Sequence, residues 1–176
     1  MFRASRFVVA ALALAVAVPA ASQSAPDGFR LMHNIVKGHV TKSAEQVSEA
    51  NYSFKPTPEV RSFGQLFGHI ANANFMICSA ASGLANPAAK SNAEQLKTKA
   101  EIQKAVVDSF AFCDKAWDAV SAANAGEAVD LFGMKHTRAS ALSFNAAHDW
   151  EHYGNLVTYM RLKGMVPPSS QGGGMN

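Results

Sequence analysis

Four long stretches of this chain repeat apolar side chains at three- and four-residue steps, and each is bounded by proline, glycine or a capping pair. A period near 3.6 is what a helix needs to bury one face, so the spacing predicts four amphipathic helices. The first runs from about Gly28 to Ala50, with Phe29, Met32, Val36, Val40 and Val47 on one side. Phe54-Lys55-Pro56-Thr57-Pro58 ends it, because proline disfavours helix in the residue before it. Ser62 and Gln65 match a capping box that opens the second helix, which continues to Ser82 and stops at Gly83. Asn86-Pro87 and the polar residues after it read as a loop. Thr98 and Glu101 form a second capping box, followed by the stripe Ile102, Val106, Phe110, Cys113, Trp117 and Val120. Asn124 to Lys135 is a loop with an extended piece around Val129–Leu131. Thr137 caps a fourth helix that reaches about Lys163, with Gly164 as its stop and Pro167-Pro168 beyond. No strand-rich segment competes, so the expected architecture is an all-α antiparallel four-helix bundle.

The N-terminus has a different character. Arg3 and Arg6 precede an unbroken apolar run from Val8 to Val18, and Val18-Pro19-Ala20 supplies small residues for a leader peptidase. That order is a secretory signal, expected over residues 1–20 and cleaved near Ala20, and the run is too short for a permanent membrane span. The expected product is periplasmic or secreted, with a single domain over 21–168 and a disordered tail over 169–176. Of 16 Lys+Arg and 13 Asp+Glu in the whole chain, both leader charges are arginines, so the remainder is nearly balanced. This gives no support for a nucleic-acid partner, and no membrane association is expected after cleavage. Cys78 and Cys113 would meet an oxidising compartment; a bridge between them and two buried thiols are both compatible with their helix faces.

The run His148-Asp149-Trp150-Glu151-His152 carries the chemistry. Histidines four apart on a helix lie about 40° apart on the wheel, and Phe144, Asn155 and Tyr159 share their face. Two imidazoles on a core-facing side are costly unless hydrogen-bonded or metal-bound. A catalytic metal usually takes three protein ligands and keeps a position open, and His69 on the second helix is the best third candidate. Around these, Gln65, Asn72 and Met76 lie near His69 in angle. Glu151 borders the histidines as a candidate base or orienting group, while Tyr159 could reach a substrate cavity. The blander expectations are that Asp149, about 100° from His148, is a solvated charge, and that His33, His39 and His136 are solvated or capping side chains. His148-x-x-Glu151-His152 matches the inverted zinc-protease motif, but no acidic residue follows Glu151 to complete it. Paired Glu-x-x-His motifs of di-iron bundles and Cys-x-x-Cys-His haem attachment are absent from the sequence.

His69 on one helix and His148-x-x-x-His152 on another resemble the DinB/YfiT-like superfamily of four-helix metal proteins. Phe54 to Phe63, and His152 to Gly164 followed by Pro167-Pro168, are similar to exported members, and the resemblance covers nearly all of the mature chain. It implies a divalent metal, Zn or Ni before Fe or Mn, held by His69, His148 and His152 with water in the open positions. It also implies a metal-dependent hydrolase, or a thiol S-transferase or isomerase using a low-molecular-weight thiol, acting on an unidentified small molecule. Because thiol-using members are largely cytoplasmic, export bears on which thiol is available. The alternative is a non-catalytic metal- or ligand-binding bundle, with a homodimer formed through exposed faces bearing Trp150 and Tyr153.

Overall fold

The computed structural model describes residues 25–172, so the expected leader and residues 173–176 lie outside the described residues. Four long helices dominate: α1 (Ala25–Gln46), α2 (Phe63–Ser82), α3 (Lys99–Ala119) and α4 (Arg138–Leu162). Ser62, Thr98 and Thr137 each cap the following helix through a reciprocal capping box, and Gly83 closes α2 in the left-handed conformation. These are the boundaries the sequence predicts. α1 stops about a turn short of Ala50, because its last carbonyls find partners elsewhere. Tyr52 Oη and Gln103 Nε2 donate to Ala44 O, and Lys99 Nζ donates to Glu45 O and Val47 O.

The extended piece expected near Val129 is one strand of an antiparallel hairpin, β1 (Ala128–Leu131) and β2 (Met134–Thr137). Its two-residue turn places Phe132 and Gly133 at φ 56° and 74°, the twist that joins such strands most directly. The fold is therefore helical with one small two-stranded sheet. The tail expected to be disordered from Ser169 is ordered at its start. Ser169 N donates to Tyr153 Oη, and Gln171 Nε2 donates to Gln46 Oε1 and Val166 O.

Each of α1 and α2 packs against both α3 and α4. One apolar cluster joins Val36, Val40, Phe63, Phe67, Ile70, Phe110, Leu156 and Met160. A second joins Ile77, Leu131, Leu142 and Trp117 around Cys78 and Cys113. Each large side chain removed from water contributes roughly 1.5–3 kcal/mol. The two cysteines are bonded to each other across 35 residues of sequence, tying α2 to α3. In the loop-entropy account a closure of that length stabilises by about 3–4 kcal/mol.

Several side chains sit where the sequence reading does not put them. Tyr153 is buried and Trp150 half-buried. Both pack on His39 of α1, whose ring stacks 4.9 Å from that of Tyr153, and Trp150 Nε1 donates to Met32 O. Tyr153 is therefore not part of an exposed face, and Trp150 is so only in part. His33 is only 1% exposed, not solvated. Its Nε2 lies 3.0 Å from Asp114 Oδ1, and its ring lies 5.8 Å from those of Phe110 and Trp117. His39 and His136 are half-buried.

Asp149 is the largest departure, fully buried rather than a solvated charge. The buried stripe of α4 runs through Leu142, Asn145, Asp149 and Leu156, while Phe144 and Asn155 are exposed at its margin. Burial pushes the Asp149 carboxyl well above its ordinary value. One terminal atom of the Asn74 amide lies 3.1 and 3.2 Å from its two oxygens. A protonated Asp149 satisfies this network by donating its hydroxyl to Asn74 Oδ1. Asn145 Nδ2 then donates to Asn74 Oδ1 and Asp149 Oδ2, and Asn74 Nδ2 to Ser109 Oγ.

Candidate metal centre

α2 and α4 bring His69, His148 and His152 together, with one ligand nitrogen from each lying within 4.8 Å of the others. His148 Nε2 and His152 Nε2 are 3.0 Å apart, and the His69 ring centroid is 5.3 and 4.7 Å from theirs. Tetrahedral ligands at ordinary Zn–N lengths sit about 3.3 Å from one another, so this donor set fits one divalent ion.

The electrostatics suit neutral ligands. Burial, then the charges of His152, His69 and Arg61, hold His148 down at about 4 from 6.5. His152 is also lowered, by burial first and then by His69. Imidazoles that resist protonation keep their lone pairs for a metal at neutral pH.

His69 is oriented by a residue absent from the sequence reading. Its Nδ1 lies 2.9 Å from Glu94 Oε1, which leaves Nε2 to face the other two histidines. The other carboxylate oxygen, Oε2, accepts from Arg61 Nε at 3.0 Å. Burial raises the Glu94 carboxyl, but the hydrogen bonds from Arg61 and His69 outweigh it and leave the group below its usual range. A carboxylate on the far nitrogen of a ligating histidine fixes the ring's tautomer and rotation.

Glu94 arrives on a loop that can dock only against a bare helix surface. A Cβ at Gly68 would lie 2.4 Å from Ala93 O and 2.7 Å from Glu94 N. One turn further on, Asn72 clamps the same loop, accepting from Ala93 N and donating to Asn92 Oδ1. The signals for Glu94 were thus a glycine just before His69 and an asparagine just after it, each ambiguous without the fold.

An open cavity of about 650 Å³ reaches His152. Of the expected pocket residues, Gln65, Asn155 and Tyr159 line it, joined by Arg61, Glu94 and Lys55. Asn72 is occupied by the docked loop, and Met76 is exposed outside the lining. Glu151 is also exposed and outside the lining, although its charge acts on His152. Asn155 Nδ2 lies 3.4 Å from His152 Nδ1, and Tyr159 Oη donates to Arg61 O.

Solved structures share this fold. A DinB-like protein of Bacillus cereus superposes with a TM-score of 0.69 at 16% identity, over 81% of this chain and 95% of that one. A second, from Bacillus subtilis, gives 0.62 at 18% identity, over 79% and 94%. A mycothiol-dependent maleylpyruvate isomerase gives 0.60 at 17% identity, over 74% of this chain and 60% of the larger protein. At such identities the likeness is one of fold. No curated protein matches the sequence. The model of the DinB superfamily matches residues 38–156, and the chain belongs to that superfamily.

Proposed function

We propose that this protein is an exported metal-dependent enzyme whose four helices form an antiparallel bundle around a divalent-ion site made of His69, His148 and His152. One observation carries the reading: three imidazoles converge, and one of them, His152, lines an open cavity. A structural ion is usually enclosed by four protein ligands, whereas three ligands beside a cavity leave room for a reactant. Zn or Ni suits an all-nitrogen donor set. When bound, such an ion lowers the pKa of a water or thiol and supplies a nucleophile at neutral pH.

The protein's own groups prepare the site. Glu94 holds His69 in the tautomer that presents Nε2, and the depressed proton affinities of His148 and His152 keep both available as ligands. Glu94 is committed to Arg61 and His69, and Glu151 lies on the exposed edge of α4 outside the cavity lining, so neither carboxylate is positioned as the proton acceptor. Hydrolysis or nucleophilic transfer on a small molecule is the reaction class. The likeness to a mycothiol-dependent isomerase supports the thiol variant, whereas the leader pattern and the Cys78–Cys113 disulfide support an oxidising compartment outside the cytoplasm.

Cobalt substitution tests the reading. Azide or a small thiol added to the cobalt form should shift its visible spectrum, because an open position admits an outside ligand. A spectrum indifferent to saturating azide and thiol would mean a closed ion and a non-catalytic bundle.

A further inference from the structure

Arg61 is held at both ends yet keeps part of its guanidinium unused. Its backbone carbonyl accepts from Tyr159 Oη at 3.0 Å, and its Nε donates to Glu94 Oε2 at 3.0 Å. Neither terminal nitrogen has a protein acceptor among the described residues. The guanidinium and the His69 ring share one carboxylate, on Oε2 and Oε1 respectively, so the unused donors are fixed one side chain away from the histidine cluster. Arg61 lines the same cavity as His152. Lys55 stands on that wall too, tethered by Nζ to Pro58 O, and Gln65 has its Oε1 occupied by Ser62 N, which leaves its amide nitrogen for a ligand.

The charges on this wall matter. Lys55 and Arg61 are balanced formally by Glu59 and Glu94, so the protein alone does not make the cavity cationic. A resident divalent ion tips the balance positive. Glu94 is already paired, which leaves Arg61's free edge as the fixed, forked donor nearest the reacting end. A planar fork of that kind matches an oxyanion bidentately.

Resting on the metal-centred reading above, we propose that the cavity selects small substrates carrying an oxyanion, a carboxylate or phosphate, which docks on the terminal nitrogens of Arg61 while the reacting end faces His69, His148 and His152. Glu59 on the same wall disfavours polyanions, so the fitting ligand carries one such group.

The test uses zinc-loaded full-length protein and three hydroxamates that share a metal-binding head: acetohydroxamate, succinic acid monohydroxamate and 3-phosphonopropanohydroxamate. Affinities are measured by titration calorimetry on the wild type, Arg61→Gln and Arg61→Lys. At least one anionic tail should improve wild-type affinity about tenfold or more over acetohydroxamate, and the better tail identifies carboxylate or phosphate as the natural group. Arg61→Gln should erase the gain of the anionic tails over acetohydroxamate measured on the same variant, and Arg61→Lys should keep only part of it. Equal affinity of all three probes for the wild type would overturn the oxyanion proposal and leave the metal site standing. Failure of even acetohydroxamate to bind zinc-loaded protein would instead remove the open metal site, and the proposal with it.

Discussion

Asp149 and His148 are neighbours in sequence with opposite tasks. His148 lies at the margin of the buried stripe and presents Nε2 to His152, whereas Asp149 lies inside the stripe, hydrogen-bonded to Asn145, with its carboxyl pushed well above its ordinary value by burial. The angle between them was legible from helix geometry, but which direction was the core was not, since His152 borders a cavity. His33 was missed for a related reason, because Asp114 on α3 satisfies its Nε2 only once α1 and α3 meet. Asp149 couples folding to pH. Its folded pKa lies above the unfolded value of 3.8, so between the two the native state binds the extra proton, and this group's stabilising contribution falls as pH rises through that window. The lowered values of His148 and His152 work oppositely, removing stability as pH drops below 6.5. Asp149→Asn keeps the shape and removes the titration. In metal-free protein, denaturant unfolding from pH 5 to 8 should show a difference between variant and wild type that shifts in the variant's favour as pH rises. A constant difference across that range would mean that Asp149 does not titrate there.

Among elements, the loop carrying Glu94 explains more of the site than any helix does. Helix limits were legible because caps and 3.6-residue spacing are local signals; the two capping boxes and the Thr137 cap are present where the sequence puts them. The docking of Ala93–Gln95 on α2 is non-local, so Glu94 and Arg61 were not legible as site residues. Gly68 supplies a decisive substitution. Helix propensity alone predicts that Gly68→Ala stabilises α2 by about 1 kcal/mol. The contact with Ala93 O predicts the reverse: a loss of about 1–3 kcal/mol from overpacking, with metal affinity reduced about tenfold or more as Glu94 leaves His69. Thermal unfolding and metal titration of this variant together check both signs. An Ala variant more stable than wild type with unchanged metal affinity would contradict the docking account.

For the whole molecule, the helical architecture was legible from periodicity and the absence of competing strands, and the hairpin was legible only as a short extended piece. The pairing of Cys78 with Cys113 stayed open in the sequence, because facing positions on two helices do not fix the distance between them; in the fold their Cα atoms are 5.3 Å apart. The same limit applied to the metal centre. His148 and His152 form a local pair on α4, but His69 joins them only because α2 and α4 pack side by side. That convergence is the central claim. Elemental analysis of tag-free protein purified without chelator, compared with His69→Ala, His148→Ala and His152→Ala, tests it most directly. The account predicts about one divalent ion per wild-type chain and loss of tight binding in every variant, since each truncation leaves two of three ligands. Full metal content in folded His69→Ala, or a wild-type protein that takes up no divalent ion even after dialysis against zinc or nickel, would contradict it.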